Sequence, residues 1–248
     1  MQRNFWGGKT DELPRRLWHI SGGLCLPVAG LLAPENIFLP ALISATIIFL
    51  IFEAARLRFP GVNQRFLTCF RALLREKEAS APTGSAYLLA AASIVFILCD
   101  KSIAAIALTF VAVGDPVAGM VGERWGKAKT TPENPCFARD AESRHDSRAR
   151  LPKLLCKVSN FARSAQNLKL PGMPARNKTF IGNSACLVAC LVSGIILAII
   201  TNVALWLVVI GAVCATAIEF LSPPPDDNFT IPLVAGGVMS LVNFAVIS

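Results

Sequence analysis

The chain predicts an all-α fold, a polytopic bundle of about seven transmembrane helices with its N-terminus in the cytoplasm, and three observations carry that expectation. Hydrophobic residues make up 54% of the 248 and charged residues only 16%, against roughly a quarter charged in a soluble domain; mean hydropathy is +0.54. The apolar residues gather in runs near the ~20 residues that cross a hydrocarbon layer. They are apolar on all sides, without the period-two alternation of a membrane barrel. Finally, 23 of the 24 Lys and Arg lie in just three segments, 1–16, 53–85 and 122–180.

In order, the expected spans are Leu17–Leu32, Ile37–Phe52, Ala86–Leu98, Ser102–Val121, Ile181–Ile200, Val203–Leu221 and Thr230–Ile247. The first and third are short, as tilted or half-buried helices are. Pro34–Asn36, Asp100–Lys101 and Thr201–Asn202 are tight connections that make hairpins of their neighbours, so 1–248 reads as one membrane domain. With seven spans the three basic segments share one side, and the positive-inside bias makes that side cytoplasmic. The net charge of +8 is therefore a topology signal rather than a sign of nucleic acid, with attraction to anionic headgroups or a nucleotide secondary. A cleaved leader is not expected, because Trp18, His19 and two glycines interrupt the first run and no small-x-small site follows. The eight cysteines form no C-x-x-C pair. Cys25, Cys99, Cys186, Cys190 and Cys214 read as small hydrophobes, while Cys136 and Cys156 fall in a basic insertion at about 130–175, with a surface helix expected near Leu151–Phe161.

Ionisable groups at membrane depth cost roughly 2.5–3.5 kcal/mol each and are functional candidates by default. The first is Val113-Gly114-Asp115-Pro116, followed by Gly119, Gly122 and Gly126. Pro116 removes a backbone donor and disfavours the helical region for Asp115, which predicts a broken helix presenting a carboxylate. The glycines allow close helix packing or approach of a phosphate. Next, Ser222-Pro223-Pro224-Pro225-Asp226-Asp227-Asn228, just after Glu219, predicts a stiff segment holding paired carboxylates at the membrane surface. Oxygen ligands of that kind suit Mg²⁺ shared with phosphates; the alternative is a turn in which Asp227 or Asn228 caps the last helix. Arg176-Asn177-Lys178-Thr179 with Gly182-Asn183-Ser184 sets a lysine and helix-N-terminal amides at the mouth of span five, either a phosphate site or a positive-inside anchor. Arg15-Arg16-x-x-His19 opens span one, His19 being a cross-helix donor, a phosphate contact or a base. Glu78-x-x-x-Pro82-Thr83-Gly84 reads as a turn with a helix cap. All five face the cytoplasm in the seven-span arrangement, while the outer half is nearly devoid of polar residues. That favours a site where a cytosolic phosphate compound meets a lipid over a transport path.

In this order the motifs resemble those of the dolichol kinase, phytol kinase and CTP-dependent diacylglycerol kinase family. The residues that carry the likeness are Arg15/Arg16-x-x-His19, Glu78…Pro82-Thr83-Gly84, Gly114-Asp115-Pro116-x-Ala118-x-x-x-Gly122-x-x-x-Gly126-Lys127, Lys178-Thr179-x-x-Gly182, and Glu219…Asp226-Asp227-Asn228-x-Thr230-Ile231-Pro232. The resemblance covers most of the chain outside 130–175. It implies a membrane enzyme moving the terminal phosphoryl group of a nucleoside triphosphate, typically CTP, to the hydroxyl of a polyprenol, a phytol-like alcohol or diacylglycerol, with Mg²⁺ or another divalent cation. It further implies Asp115, Lys178 and His19 as catalytic residues and Asp226, Asp227 and Asp115 as metal ligands. Arg16, Gly114, Gly119, Gly122, Lys127, Thr179, Gly182 and Asn228 become contacts of the nucleotide. Ile181 departs from the pattern, since the family commonly has a carboxylate there. The alternatives are a cytidylyltransferase-like enzyme forming a CDP-lipid and a non-catalytic membrane protein.

Overall fold

A computed structural model describes residues 12–126 and 178–247, and among them the chain is helical throughout, with no strand. The helices are α1 (Glu12–Leu32), α2 (Glu35–Arg58), α3 (Pro60–Phe70), α4 (Gly84–Leu98), α5 (Lys101–Thr109), α6 (Asp115–Val121), α7 (Phe180–Thr201), α8 (Leu205–Leu221) and α9 (Asp227–Ile247). A π-helical turn, Phe110–Gly114, joins α5 to α6, and a second, Gly122–Gly126, follows α6. Lys127, the N-terminal cations Arg3 and Lys9, Cys136, Cys156 and the whole 130–175 insertion lie outside the described residues.

Each of the seven expected runs is helical. Four helices are long and apolar enough to cross a membrane: Glu35–Arg58, Lys101–Trp125, Phe180–Thr201 and Asp227–Val246. Helices α4 and α8 have 15 and 17 residues, which at ~1.5 Å per residue falls short of a ~30 Å hydrocarbon layer. Helix α3 is an addition to the expected set. It starts on Pro60, whose missing N–H costs nothing in a first helical turn, and none of its residues is buried.

Lys101–Trp125 is the axis of the bundle: 72% of its apolar window is buried, against 17–28% for the other three long helices. Alanines at 104, 105, 107 and 112 are fully buried along it, and such small side chains let backbones approach where lipid offers no hydrophobic drive to association. The Phe110 ring enters the gap this leaves, lying against Gly194 of α7 and Gly211 of α8; a Cβ at either glycine would come within 2.8 and 2.9 Å of the ring. Outward faces remain apolar, as at Ile48, Ile51, Val188 and Ile199.

One expectation is corrected. Asp115 is helical (φ −61°, ψ −48°) and the helix does not break at Pro116. The hydrogen-bond ladder instead widens into a π turn over the residues just before the proline, which absorbs the missing donor and the bulk of the ring. The turn is clasped from both sides. A Cβ at Gly23 of α1 would lie 2.7 Å from Ala112 Cβ, and one at Gly114 would lie 2.8 Å from Cys190 Sγ of α7.

Candidate functional site

The site is built at the end of the bundle where α2, α6 and α8 finish and α1, α4, α7 and α9 begin. Its foundation is Arg56, in the last turn of α2 and fully buried. The guanidinium donates to Glu53 Oε2 from Nε (3.3 Å) and Nη2 (2.7 Å), to Asn63 Oδ1 of α3 (2.8 Å), and to the carbonyls of Glu78 (3.0 Å) and Ala81 (2.9 Å). Glu53 Oε1 in turn accepts from Thr83 Oγ1 at 3.0 Å, and Thr83 caps α4. One buried ion pair thus fixes the α2–α3 elbow and both ends of segment 78–83.

Glu78 closes that segment from inside: Oε2 accepts from the Arg75 amide and Oε1 from the Gly84 amide, each at 2.9 Å. A Cβ at Gly84 would lie 2.6 Å from Asn228 Nδ2, so α4 and α9 meet end to end. Lys77 reaches across to Asp226 Oδ2 (2.6 Å), and the Arg75 guanidinium lies 3.7 Å from Asp115 Oδ2. Burial pulls the pKa of Arg75 down, but Asp115, Asp226, Glu78 and Asp227 outweigh it and hold it above its ordinary value.

On the opposite side, Lys178 donates to the carbonyl of Glu219, to Glu219 Oε1 (2.6 Å) and to Asp227 Oδ2 (3.3 Å). With its amide nitrogen facing the acceptors, Asn183 donates to Thr216 O (3.0 Å) and Glu219 Oε2 (3.2 Å). Thr179 caps α7 by accepting from the Gly182 amide at 3.2 Å. Helix α9 is capped by Asp226, whose Oδ1 accepts from the Asn228 amide at 3.2 Å, in place of the Asp227 or Asn228 cap weighed from the sequence. Asp226, Asp227 and Asn228 are buried rather than displayed at a surface.

Between these clusters opens a cavity of about 760 Å³. Its polar lining comprises Arg15, Arg16, His19, Arg75, Asp115, Lys178, Glu219 and Asn228, together with the N-termini of α4 and α7 at Thr83–Ser85 and Thr179–Asn183. Both helix N-termini bring partial positive charge to the cavity, with the Gly84 and Gly182 amides themselves taken by Glu78 and Thr179. Its apolar lining comprises Trp18, Phe49, Phe66, Phe70, Leu73 and Leu74. Phe66 and Phe70 lie 4.9 Å apart between ring centroids, Phe52 backs Phe66 at 5.6 Å from outside the lining, and Arg56 lies 5.0 Å from the centre of Phe66.

Of the residues singled out from the sequence, Arg16, His19, Asp115, Gly119, Gly122, Lys178, Thr179, Gly182 and Asn228 line the cavity, whereas Gly114, Asp226 and Asp227 do not. His19 Nε2 lies 3.4 Å from the carbonyl of Val111 in the π turn, and Arg16 pairs with Glu123 at 2.5 Å. The glycines divide by surroundings. A Cβ at Gly182 would sit 2.7 Å from Ala118 O and one at Gly122 2.8 Å from Thr179 Oγ1, so both serve the α6–α7 contact. At Gly119 the nearest neighbour would be Arg16 Nη2 at 3.6 Å, which leaves it facing the cavity.

The three aspartates expected to bind metal are separately neutralised, Asp115 by Arg75, Asp226 by Lys77 and Asp227 by Lys178. Among the described residues no three His, Cys, Asp or Glu side chains are grouped to hold a metal ion. Among the described residues the donor set therefore does not fit a divalent ion held by the protein alone. Two contributors escaped the sequence reading, Arg75 and the hub at Arg56. The signal for the latter was present, since Glu53 and Arg56 are an i,i+3 charge pair continuing an apolar helix. No protein-family model, curated protein or solved structure matches the chain.

Proposed function

We propose that the protein is a membrane lipid-alcohol kinase, which transfers the terminal phosphoryl group of a nucleoside triphosphate, CTP by the resemblance of its motifs, to the hydroxyl of a polyprenol, a phytol-like alcohol or diacylglycerol. The observation that carries this reading is the mixed lining of one cavity, which brings cations and two helix N-termini together with a set of aromatic and aliphatic side chains. A phosphate ester and a lipid chain need opposite surroundings, and a phosphorylated lipid needs both within one site. Phosphoryl transfer is chiefly positioning and neutralisation of charge. In the proposal Arg15 and Arg16 neutralise phosphate oxygens, Asp115 accepts the proton of the acceptor hydroxyl, and Phe49, Phe66 and Phe70 receive the chain. Lys178, engaged by Glu219 and Asp227, sets the floor of the site. Any divalent cation belongs with the triphosphate, and no protein cage is assigned to it.

The proposal includes seven spans with the N-terminus and the cavity on the cytoplasmic side. It is supported by the cation distribution and by the short α4 and α8, whose polar ends are met by segments 71–83 and 222–226 instead of bare hydrocarbon. The test is purified protein in lipid nanodiscs with Mg²⁺, CTP or ATP labelled at the γ-phosphate, and a panel of lipid alcohols. Label on the lipid with release of nucleoside diphosphate is expected. Release of pyrophosphate would make the chain a cytidylyltransferase, and no nucleotide turnover with any alcohol would reduce it to a non-catalytic membrane protein. Asp115→Asn that folds and keeps full activity would remove Asp115 from the chemistry.

A further inference from the structure

We infer that Arg75 is the cavity's primary contact for a phosphate anion, and that binding draws its guanidinium away from Asp115, making that carboxylate a better proton acceptor. The effect on Asp115 rests on the kinase reading of the cavity; the anion contact does not.

Arg16, Lys77 and Lys178 each have a carboxylate oxygen at 2.5–2.6 Å. Arg75 does not. Its nearest carboxylate oxygen, on Asp115, is 3.7 Å away, beyond the 2.7–3.2 Å of a hydrogen bond, and its guanidinium donates no hydrogen bond to any described side chain or backbone atom. Yet the side chain is only 22% exposed and faces the cavity. A guanidinium that faces a cavity with donors unused by the protein is open to an acceptor, and two oxygens of a phosphate match its planar fork.

The mounting suits the task. The Arg75 amide is held by Glu78 Oε2, and the Glu78 carbonyl is held by buried Arg56. The backbone beneath Arg75 is therefore fixed while the end of its side chain is left unsatisfied. The long pair with Asp115 is weak enough to be exchanged. Once a phosphate oxygen occupies the fork, the Arg75 charge bears less on Asp115, which becomes a better proton acceptor, so donor binding helps to ready the acceptor's base.

The experiment measures pyrophosphate binding to the full chain in nanodiscs, in EDTA so that no metal contributes. The variants are Arg75→Gln, Arg75→Lys, Asp115→Asn and the double variant Arg75→Gln/Asp115→Asn. Arg75→Gln should weaken binding by about tenfold or more, the loss of a charge-assisted contact, and Arg75→Lys by less. Asp115→Asn should tighten binding several-fold, because the competing carboxylate is gone, and that gain should vanish in the double variant. Wild-type affinity in Arg75→Gln, or an undiminished Asp115→Asn gain without Arg75, overturns the inference. Should Arg75→Gln not fold, unchanged affinity in either Arg75→Lys or Asp115→Asn overturns it. Assaying lipid phosphorylation on the same samples separates the two readings. The binding pattern without any phosphoryl transfer refutes the kinase and leaves the anion contact. Transfer with nucleotide KM and kcat unaltered in Arg75→Gln does the reverse.

Discussion

Arg56 satisfies all of its donors inside the protein, with five hydrogen bonds to Glu53, Asn63, Glu78 and Ala81. Removing one partner of a buried ion pair leaves the other charge stranded, at a cost of about 3–5 kcal/mol. Arg56→Leu should therefore destabilise the protein by that order in denaturant unfolding in detergent, and wild-type stability would refute its role as a hub. Adding Glu53→Gln should restore part of the loss but not all, because the Glu78 and Ala81 carbonyls still lack a donor. Lys178 invites the same comparison. It is engaged by buried Glu219 and Asp227, so Lys178→Met should lose stability as well as activity, whereas a lysine devoted to phosphate would lose activity alone. The sequence marked Lys178 and Asp115, because a charge beside an apolar run is conspicuous there. It did not mark Arg56 or Arg75. An arginine at a helix end can extend to water as easily as turn inward, and the direction depends on carbonyls and carboxylates some 22 to 40 residues further along.

Among elements, the contact of α6 with α7 decides what the glycines are for. Sequence spacing left two uses open, close packing and phosphate approach, since a glycine has no side chain to state its purpose. The atoms opposite decide between them. Gly182→Ala would drive a methyl group to within 2.7 Å of the Ala118 carbonyl, a backbone atom that cannot rotate aside, and overpacking of that kind costs typically 1–3 kcal/mol. At Gly119 the nearest atom is the end of a flexible arginine at 3.6 Å, so Ala is accommodated and gains roughly 0.5–1 kcal/mol of helix preference. Thermal unfolding should thus separate the pair, Gly182→Ala lowered and Gly119→Ala equal or raised; equal losses would mean that neighbouring atoms do not decide the matter. The π turns were beyond the sequence reading for a related reason. Pro116 announces that a donor is missing, but whether the helix breaks or widens depends on what clasps it, here Gly23, Cys190 and Phe110 packed among neighbouring helices.

For the whole molecule, the apolar runs were long and uninterrupted enough for all seven helices to be legible, while α3, with Asn63, Gln64 and Arg65 among its few apolar residues, left no such run. What the runs do not supply is the sidedness that the proposed function requires. The ends of the bundle differ sharply in charge. The cavity end gathers nearly every cation in the described chain, whereas the opposite end has Lys101, whose ammonium is engaged by the Ala33 carbonyl at 3.0 Å just beyond α1. A cation so held does little to compete with the basic end for the cytoplasm, so the positive-inside bias should act undiluted. Cysteine labelling in sealed cells tests this directly. With the other seven cysteines replaced, Cys69, exposed on α3, should react with an impermeant maleimide only after the membrane is opened. In a chain lacking all eight, Glu35→Cys, at the start of α2, should react from outside. If both positions are labelled from the same side, an odd number of crossings does not separate them. The seven-span arrangement would then be wrong, and with it the cytoplasmic supply of nucleotide on which the proposed kinase depends.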